Sequence, residues 1–254
     1  MQIMDPTPLV ADDGSAFGRM FNVLPAPGET FQQIKERPVN HWNWILPAII
    51  WFVIGSSVVV MIFSMDSFKY EMKKQQEKAF QQQVDKGKMT QAQADQIMNN
   101  MPPWAMEVAK VFAVIATGVY AVAIPFFWGF VVWILCVKVY NADIEFMKAV
   151  EAVGLASIIY ALTALIGGLL SITMGKMTHF SPGFFVHDFD MSNRSHMALA
   201  ALNPLYIWYI VVVAVSISVL ASVSLKRTLP WCLGIWIALR VLALSTPYTM
   251  NFVL

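Results

Sequence analysis

The sequence predicts an all-α, polytopic integral membrane protein with five transmembrane helices and an extramembrane αα-hairpin between the first two. About 20 helical residues are needed to cover the ~30 Å hydrocarbon layer of a bilayer. Five segments meet this requirement, and they are predicted at residues 45–63, 107–138, 152–175, 204–225 and 229–250. Their apolar residues run continuously rather than alternating with polar ones, so helices are predicted and not the strands of a barrel.

Composition supports a membrane environment. Charged residues make up 13% of the 254 residues, against roughly a quarter in soluble domains. The net charge of +1 provides no field that attracts nucleic acid. Cys136 and Cys232 both lie in apolar segments, so we expect two buried thiols and neither a disulfide framework nor a four-cysteine zinc site.

Residues 1–20 contain several Asp, Pro and Gly residues and are predicted to form a flexible N-terminal tail. The first apolar segment starts only at residue 45. The apolar region of a cleavable signal peptide lies within about the first 30 residues, so no signal peptide is expected.

Residues 21–40 are predicted to form an amphipathic segment that leads the chain into the membrane. Pro27 suits the first turn of a short helix, and Pro38 suits its end. Phe31 and Ile34 are three residues apart, so they share one helix face. The alternative is an ordinary connecting turn.

The polar region 64–104 is predicted to form a helical hairpin rich in Lys and Gln. Nothing between Gly55 and Lys86 breaks a helix, so the first span is expected to continue as one long rod. Gly87 supplies the turn, and Thr90 is predicted to cap the second helix. The alternative is a solvated, partly ordered loop.

Small residues recur at every fourth position in three spans and predict close helix packing. The series are Ala113, Thr117, Ala121, Pro125 and Gly129; Gly167, Ser171 and Gly175; and Ala214, Ser218 and Ser222. A narrow permeation path lined by these residues is the functional alternative.

Arg240 is the one charged residue well inside a predicted span. A cation at this depth is costly and usually faces a partner or a wet cavity. Backbone carbonyls, Asn203, a lipid phosphate or another subunit are the candidate partners, and snorkelling towards the interface is the alternative.

Residues 138–151 are interpreted as a short amphipathic connection between spans two and three.

No metal, cofactor or catalytic site is predicted. The loop 176–196 contains side chains that can bind divalent ions, but their spacing matches no recognised ligand pattern. These side chains are His179, His187, Asp188, Asp190 and His196. The spans also lack the acidic and histidine residues that catalysis in the membrane requires.

The layout resembles the Yip-one (Ypt/Rab-interacting protein) domain family of multi-spanning membrane proteins. Three stretches carry the resemblance: the entry pattern from Phe21 to Phe31 with Ile34–Pro38 and Trp44–Pro47, the link from Tyr140 to Tyr160, and Leu202–Trp208. The resemblance implies a five-helix membrane domain with a cytoplasmic N-terminus and no enzyme activity. The eukaryotic Asp-Leu-Tyr-Gly-Pro motif is missing, so Rab binding is not expected.

The hairpin is similar to that of bacterial members, some of which are associated with export or ABC-transport systems. We therefore expect a non-catalytic protein of the bacterial inner membrane that acts by binding other membrane proteins or forming a homo-oligomer. Arg240, Asn203, Phe31 and Pro38 are the candidate functional residues. The alternative is a transporter or channel subunit with a path near Arg240.

Overall fold

All regular secondary structure is helical in the part of the chain that the structure, a computed structural model, describes: residues 15–100, 102, 104–178, 180–187, 189, 190 and 193–245. The helices are α1 (Ala16–Asn22), α2 (Pro27–Lys35), α3 (Trp42–Ser64), α4 (Asp66–Asp85), α5 (Gln91–Asn99), α6 (Trp104–Ile134), α7 (Phe146–Ala156), α8 (Ile158–Met174), α9 (Arg194–Ala201), α10 (Pro204–Leu220) and α11 (Leu225–Ser245). A π-helical turn, Leu135–Val139, extends α6, and a 3₁₀ turn, Pro182–Phe185, precedes α9. This confirms the predicted fold class.

Four helical segments are long and apolar enough to cross a membrane: Trp42–Ser64, Trp104–Val139, Phe146–Met174 and Leu225–Ser245. A fifth crossing requires α9 and α10 to act together, because they pass the test only as a pair bent by 53°. The bend falls before Pro204, which cannot donate a backbone hydrogen bond to the preceding turn.

The chain divides into two compact units, one made of Met1–Trp51, Ala121–Tyr160 and Trp208–Ile237. Its centre is α7, in which every residue from Lys148 to Ala156 is buried. A Cβ built on Gly154 would lie 2.6 Å from the Cα of Trp44, and one built on Gly129 would lie 3.0 Å from that of Val150. Small residues therefore allow close backbone approach here, as the four-residue spacing of span two predicts.

The other unit comprises Phe52–Tyr120, Ala161–Ile207 and Ala238–Leu254. It contains the hairpin, in which α5 packs on α4. Gly87 has a φ of +67° at the turn, and Thr90 forms a capping box with Gln93, so the predicted turn and cap are confirmed. In α8 the close glycine is Gly168, against Val58, whereas Gly167 of the predicted series has open space.

Two local expectations need correction. Residues 16–20 belong to α1 instead of a flexible tail, because Ser15 caps this helix and Met20 buries its side chain completely. Residues 1–14 lie outside the described part of the chain. The first span and the hairpin also do not form one rod, because Met65 is extended, with ψ of 130°, between α3 and α4. Asp66 then starts a new helix, where its carboxylate suits the positive N-terminal end.

Candidate functional site

Four polar side chains are buried together where α1, the entry segment (residues 21–40) and the start of α3 meet α7. They are Arg19, Asn43, Lys148 and Glu151, and we call them the entry cluster. Glu151 is only 1% exposed and Lys148 9%. Burying such charges is costly unless each one is paired and hydrogen-bonded, so their contacts decide what the cluster can do.

Lys148 is held by three acceptors. Its Nζ donates to the Oε2 of Glu151 at 2.7 Å, to the carbonyl of Ile34 at 2.9 Å and to the carbonyl of Arg37 at 2.8 Å. An ammonium group has three protons, so the set is complete. Ile34 lies in the last turn of α2 and Arg37 two residues beyond its end, where carbonyls without α-helical partners favour a cation.

Glu151 joins the other members of the cluster. Its Oε1 accepts a hydrogen bond from the Nδ2 of Asn43 at 2.5 Å and from the backbone N–H of Asn40 at 3.3 Å. The Oδ1 of Asn43 accepts one from the Nε of Arg19 at 3.2 Å. One continuous network therefore ties α1, the end of α2 and the start of α3 to α7.

A second lysine connects the entry segment to α10. Lys35 donates from Nζ to the carbonyl of Val219 at 2.8 Å and to the Oγ of Ser222 at 2.6 Å. Val219 lies in the last turn of α10, so Lys35 satisfies one of its terminal carbonyls. Two lysines therefore hold the C-terminal end of α2: its own Lys35, which bonds to the end of α10, and Lys148 of α7.

A cavity of about 430 Å³ opens beside the entry cluster. Arg19, Arg37, Asn43 and Glu151 contribute charged and polar groups to its wall. Trp42, which is 60% exposed, contributes an aromatic edge at the first residue of α3. Burial, together with the nearby Arg37 guanidinium, lowers the pKa of Arg19, although Glu151 opposes this effect. Arg19 and Arg37 therefore both bring a guanidinium to the wall of this cavity.

The hairpin presents a separate surface. One residue is buried in each of its helices, Phe68 in α4 and Ala94 in α5. A groove of about 510 Å³ runs along α5 and the turn, lined by Lys88, Met89, Gln93, Gln96, Ile97 and Asn100. Lys78 joins α4 to Asp190 of the following polar loop by an ion pair of 2.6 Å.

The four candidate functional residues occupy different places. Phe31 is completely buried on α2, and Pro38 is exposed on the wall of the cavity. Asn203 caps α10, because its Oδ1 accepts a hydrogen bond from the backbone N–H of Leu205 at 2.9 Å. Arg240 is half-buried, with its guanidinium 5.6 Å from the centre of the Tyr206 ring.

The contact with Tyr206 is a cation–π interaction, which stabilises the charge of Arg240 where it lies. Tyr206 is thus a partner of Arg240 that the sequence interpretation did not consider. A permeation path near Arg240 stays a prediction.

No group of three or more His, Cys, Asp or Glu side chains is placed to bind a metal ion among the described residues. In the loop 176–196, the backbone N–H of Asp190 donates to the Nδ1 of His196 at 3.0 Å. His179 and Asp188 lie outside the described residues. Cys136 and Cys232 are both buried and unlinked, in agreement with the prediction.

Lys148 and Glu151 are the residues whose importance the sequence interpretation missed. Residues 138–151 were expected to form a connection, whereas α7 begins at Phe146 and continues into the third candidate span. A signal was present: an oppositely charged pair three residues apart, surrounded by apolar residues, next to an uncharged span.

Long apolar helices, joined by short polar segments and by a polar hairpin, define a multi-pass helical membrane protein. The model of the Yip1 domain family matches residues 21–246. The match covers most of the chain, so the chain belongs to the Yip1 domain family. This confirms the resemblance seen in its sequence. No curated protein and no solved structure matches the chain.

Proposed function

We propose that this Yip1-family protein is a non-catalytic membrane protein that acts by binding other proteins, with the α4–α5 hairpin as its main contact surface. The observation that supports this proposal is that very few residues of the hairpin helices are buried. Its two helices contain 20 and 9 residues, and each buries a single residue. Short helices in water depend on packing for most of their stability.

The groove on α5 has the composition of a protein-binding surface. Met89 and Ile97 provide apolar contacts, and Ile97 is 44% exposed. Gln93, Gln96 and Asn100 surround them with amide donors and acceptors. Interfaces commonly combine apolar anchors with a hydrogen-bonding rim, so a helix or an extended segment of a partner is the expected occupant.

The absence of catalysis is part of the proposal. Lys148 and Glu151 of the entry cluster form an ion pair, and Lys148 has no proton left to transfer to a substrate without breaking a contact. This arrangement is typical of a structural network.

We further propose the bacterial inner membrane as the location, with the N-terminus in the cytoplasm. The support is the family resemblance together with the basic pair Lys226–Arg227 at the start of α11. Export and ABC-transport assemblies are the first partners to test, since the hairpin resembles that of bacterial family members, some of which are associated with such systems.

The test is site-specific crosslinking from native membranes, with a photoreactive residue at position 93, followed by pull-down of the crosslinked species. The variant Ile97→Asp places a charge in the groove, and Ala92→Asp places the same charge on α5 outside its lining. We expect Ile97→Asp to abolish the specific crosslinks and Ala92→Asp to retain them.

A deletion of residues 81–100, tested by pull-down with a chemical crosslinker in place of the photoreactive residue, provides the second arm of the experiment. It should remove the same partners from the pull-down while leaving the melting temperature of the membrane domain nearly unchanged. Each partner is then purified and its binding measured directly with both point variants. Full association after the deletion, or equal loss with both Asp variants, would contradict the proposal.

A further inference from the structure

We propose that α1 anchors the N-terminal part of the chain to the lipid surface, with the aromatic pair Phe17 and Phe21 inserted among the headgroups beside the first span. Phe17 is 57% exposed and Phe21 50%. The two residues are four apart on one helix face, and their rings pack edge to face with centroids 4.9 Å apart. They form one continuous apolar patch, and its role is independent of the hairpin.

The outer surface of α1 carries no charge. The one charged residue of this helix, Arg19, is buried together with Gly18 and Met20. The side that contains them packs on α2 and α7, which leaves the two phenylalanines outside. A helix that faces water places its charged residues outside, whereas the exposed side of α1 is aromatic. Such a face is typical of a helix that lies in the interface of a membrane.

A hydrogen bond holds α1 at the level where the first candidate span begins. The Nε of Arg19 donates to the Oδ1 of Asn43 at 3.2 Å, and Asn43 is the second residue of α3. One arginine side chain therefore separates α1 from the first turn of that span, where the headgroups of a bilayer lie. Trp42 begins the same helix and is 60% exposed, and indole rings favour this region of the membrane.

The neighbouring helix α2 supplies the side that faces water. Its apolar side chains are turned into the protein, since Phe31 is completely buried and Ile34 is 1% exposed. Its exposed residues are polar: Glu29 and Gln32, followed by Glu36 just beyond its end. The two short helices thus combine an aromatic patch with a charged face, which is the division expected of a segment lying on a lipid surface.

The experiment measures the depth of single nitroxide spin labels on the full chain in phosphatidylcholine vesicles. The labels are attached to the separate variants Phe17→Cys and Phe21→Cys. Their collisions are measured with oxygen, which concentrates in lipid, and with a nickel chelate, which stays in water. Glu29→Cys is the matched control on the polar side of α2, and Val53→Cys, exposed near the middle of α3, calibrates the hydrocarbon layer. The parent chain, whose two native cysteines are buried, provides the blank.

We expect the ratio of oxygen to nickel collisions at positions 17 and 21 to be several-fold higher than at position 29 and lower than at position 53. Phe21→Glu, combined with the label at position 17, should lower that ratio several-fold, because a carboxylate resists transfer out of water. Gln32→Glu should leave it unchanged.

Three results would overturn the proposal. Ratios at positions 17 and 21 equal to that at position 29 would mean that the patch faces water. Equal effects of Phe21→Glu and Gln32→Glu would mean that the aromatic ring does not hold α1 in lipid. Labels that neither reagent reaches would assign the patch to a protein contact, with residues 1–14 or with a second copy of the chain, and would reject the lipid.

Discussion

Lys148 illustrates how single residues organise the entry segment of this protein. A lysine in a buried helix is stable only when partners replace the water that it has lost. Lys148 finds one partner in Glu151, on its own helix, and two on the carbonyls of Ile34 and Arg37. It is therefore both an ion-pair partner and a C-terminal cap for α2.

The pair Lys148–Glu151 gives a prediction at the residue scale. Lys148→Met leaves the carboxylate of Glu151 buried without its cation, and we expect a loss of roughly 3–5 kcal/mol in the free energy of unfolding. Glu151→Met should cost a similar amount, because it strands the ammonium group. Chemical denaturation of the detergent-solubilised protein measures both values.

The double variant Lys148→Met, Glu151→Met is the control for this prediction. Removing both charges together avoids an uncompensated buried ion, so its loss should be clearly smaller than the sum of the single losses. Strictly additive losses would mean that the two residues do not act as a pair.

At the scale of elements, small residues set the distances between helices. Gly154 of α7 lies against the backbone of Trp44 in α3, where a Cβ would approach Trp44 Cβ to 2.1 Å. Two rigid helices cannot absorb this overlap by moving a flexible side chain, so the contact depends on glycine. Gly167 of α8 has no atom within 4 Å of its Cβ position.

The two glycines give a matched prediction. Gly154→Ala should destabilise the protein by about 1–3 kcal/mol, because it forces α3 and α7 apart. Gly167→Ala should be neutral or stabilise it by up to about 1 kcal/mol, since alanine is the better helix former. Thermal unfolding of the purified variants, followed by circular dichroism, measures both. A melting temperature for Gly154→Ala equal to that of the parent would refute this account of the packing.

The helix pair α9 and α10 raises the main question at the scale of the whole molecule, which is how many times the chain crosses the membrane. Four spans qualify by themselves, and α10 has only 17 residues. A helix of this length covers about 25 Å, slightly less than the hydrocarbon layer. Membranes accommodate such mismatch by local thinning, so five crossings remain physically reasonable.

We predict five crossings, with residues 143 and 224 on the cytoplasmic side and residue 86 on the opposite side. Single cysteines introduced as Asp143→Cys, Ser224→Cys and Lys86→Cys are treated in intact cells with a membrane-impermeant thiol reagent, and only Lys86→Cys should be labelled. The native Cys136 and Cys232 are fully buried and should remain unlabelled. Four crossings would instead place position 224 on the same side as position 86.

Part of this protein follows from its sequence by itself. Hydrophobicity depends on residue type, and the ability to cross a membrane depends on the length of an apolar segment. The membrane class, the helical fold and most span positions can therefore be read along the chain. The same holds for local signals such as Gly87 at the turn and Thr90 at the start of α5, because their contacts lie within a few residues.

The tertiary structure alone decided which distant residues meet. Asn43 and Glu151 are 108 residues apart in sequence, and Lys35 and Ser222 are 187 apart, yet each pair is hydrogen-bonded. No local pattern encodes such a pairing, because it depends on how helices pack around one another. For this reason the sequence showed a charged connection at residues 138–151, whereas the folded chain buries Lys148 and Glu151 of this segment in a hydrogen-bonded network beside a cavity.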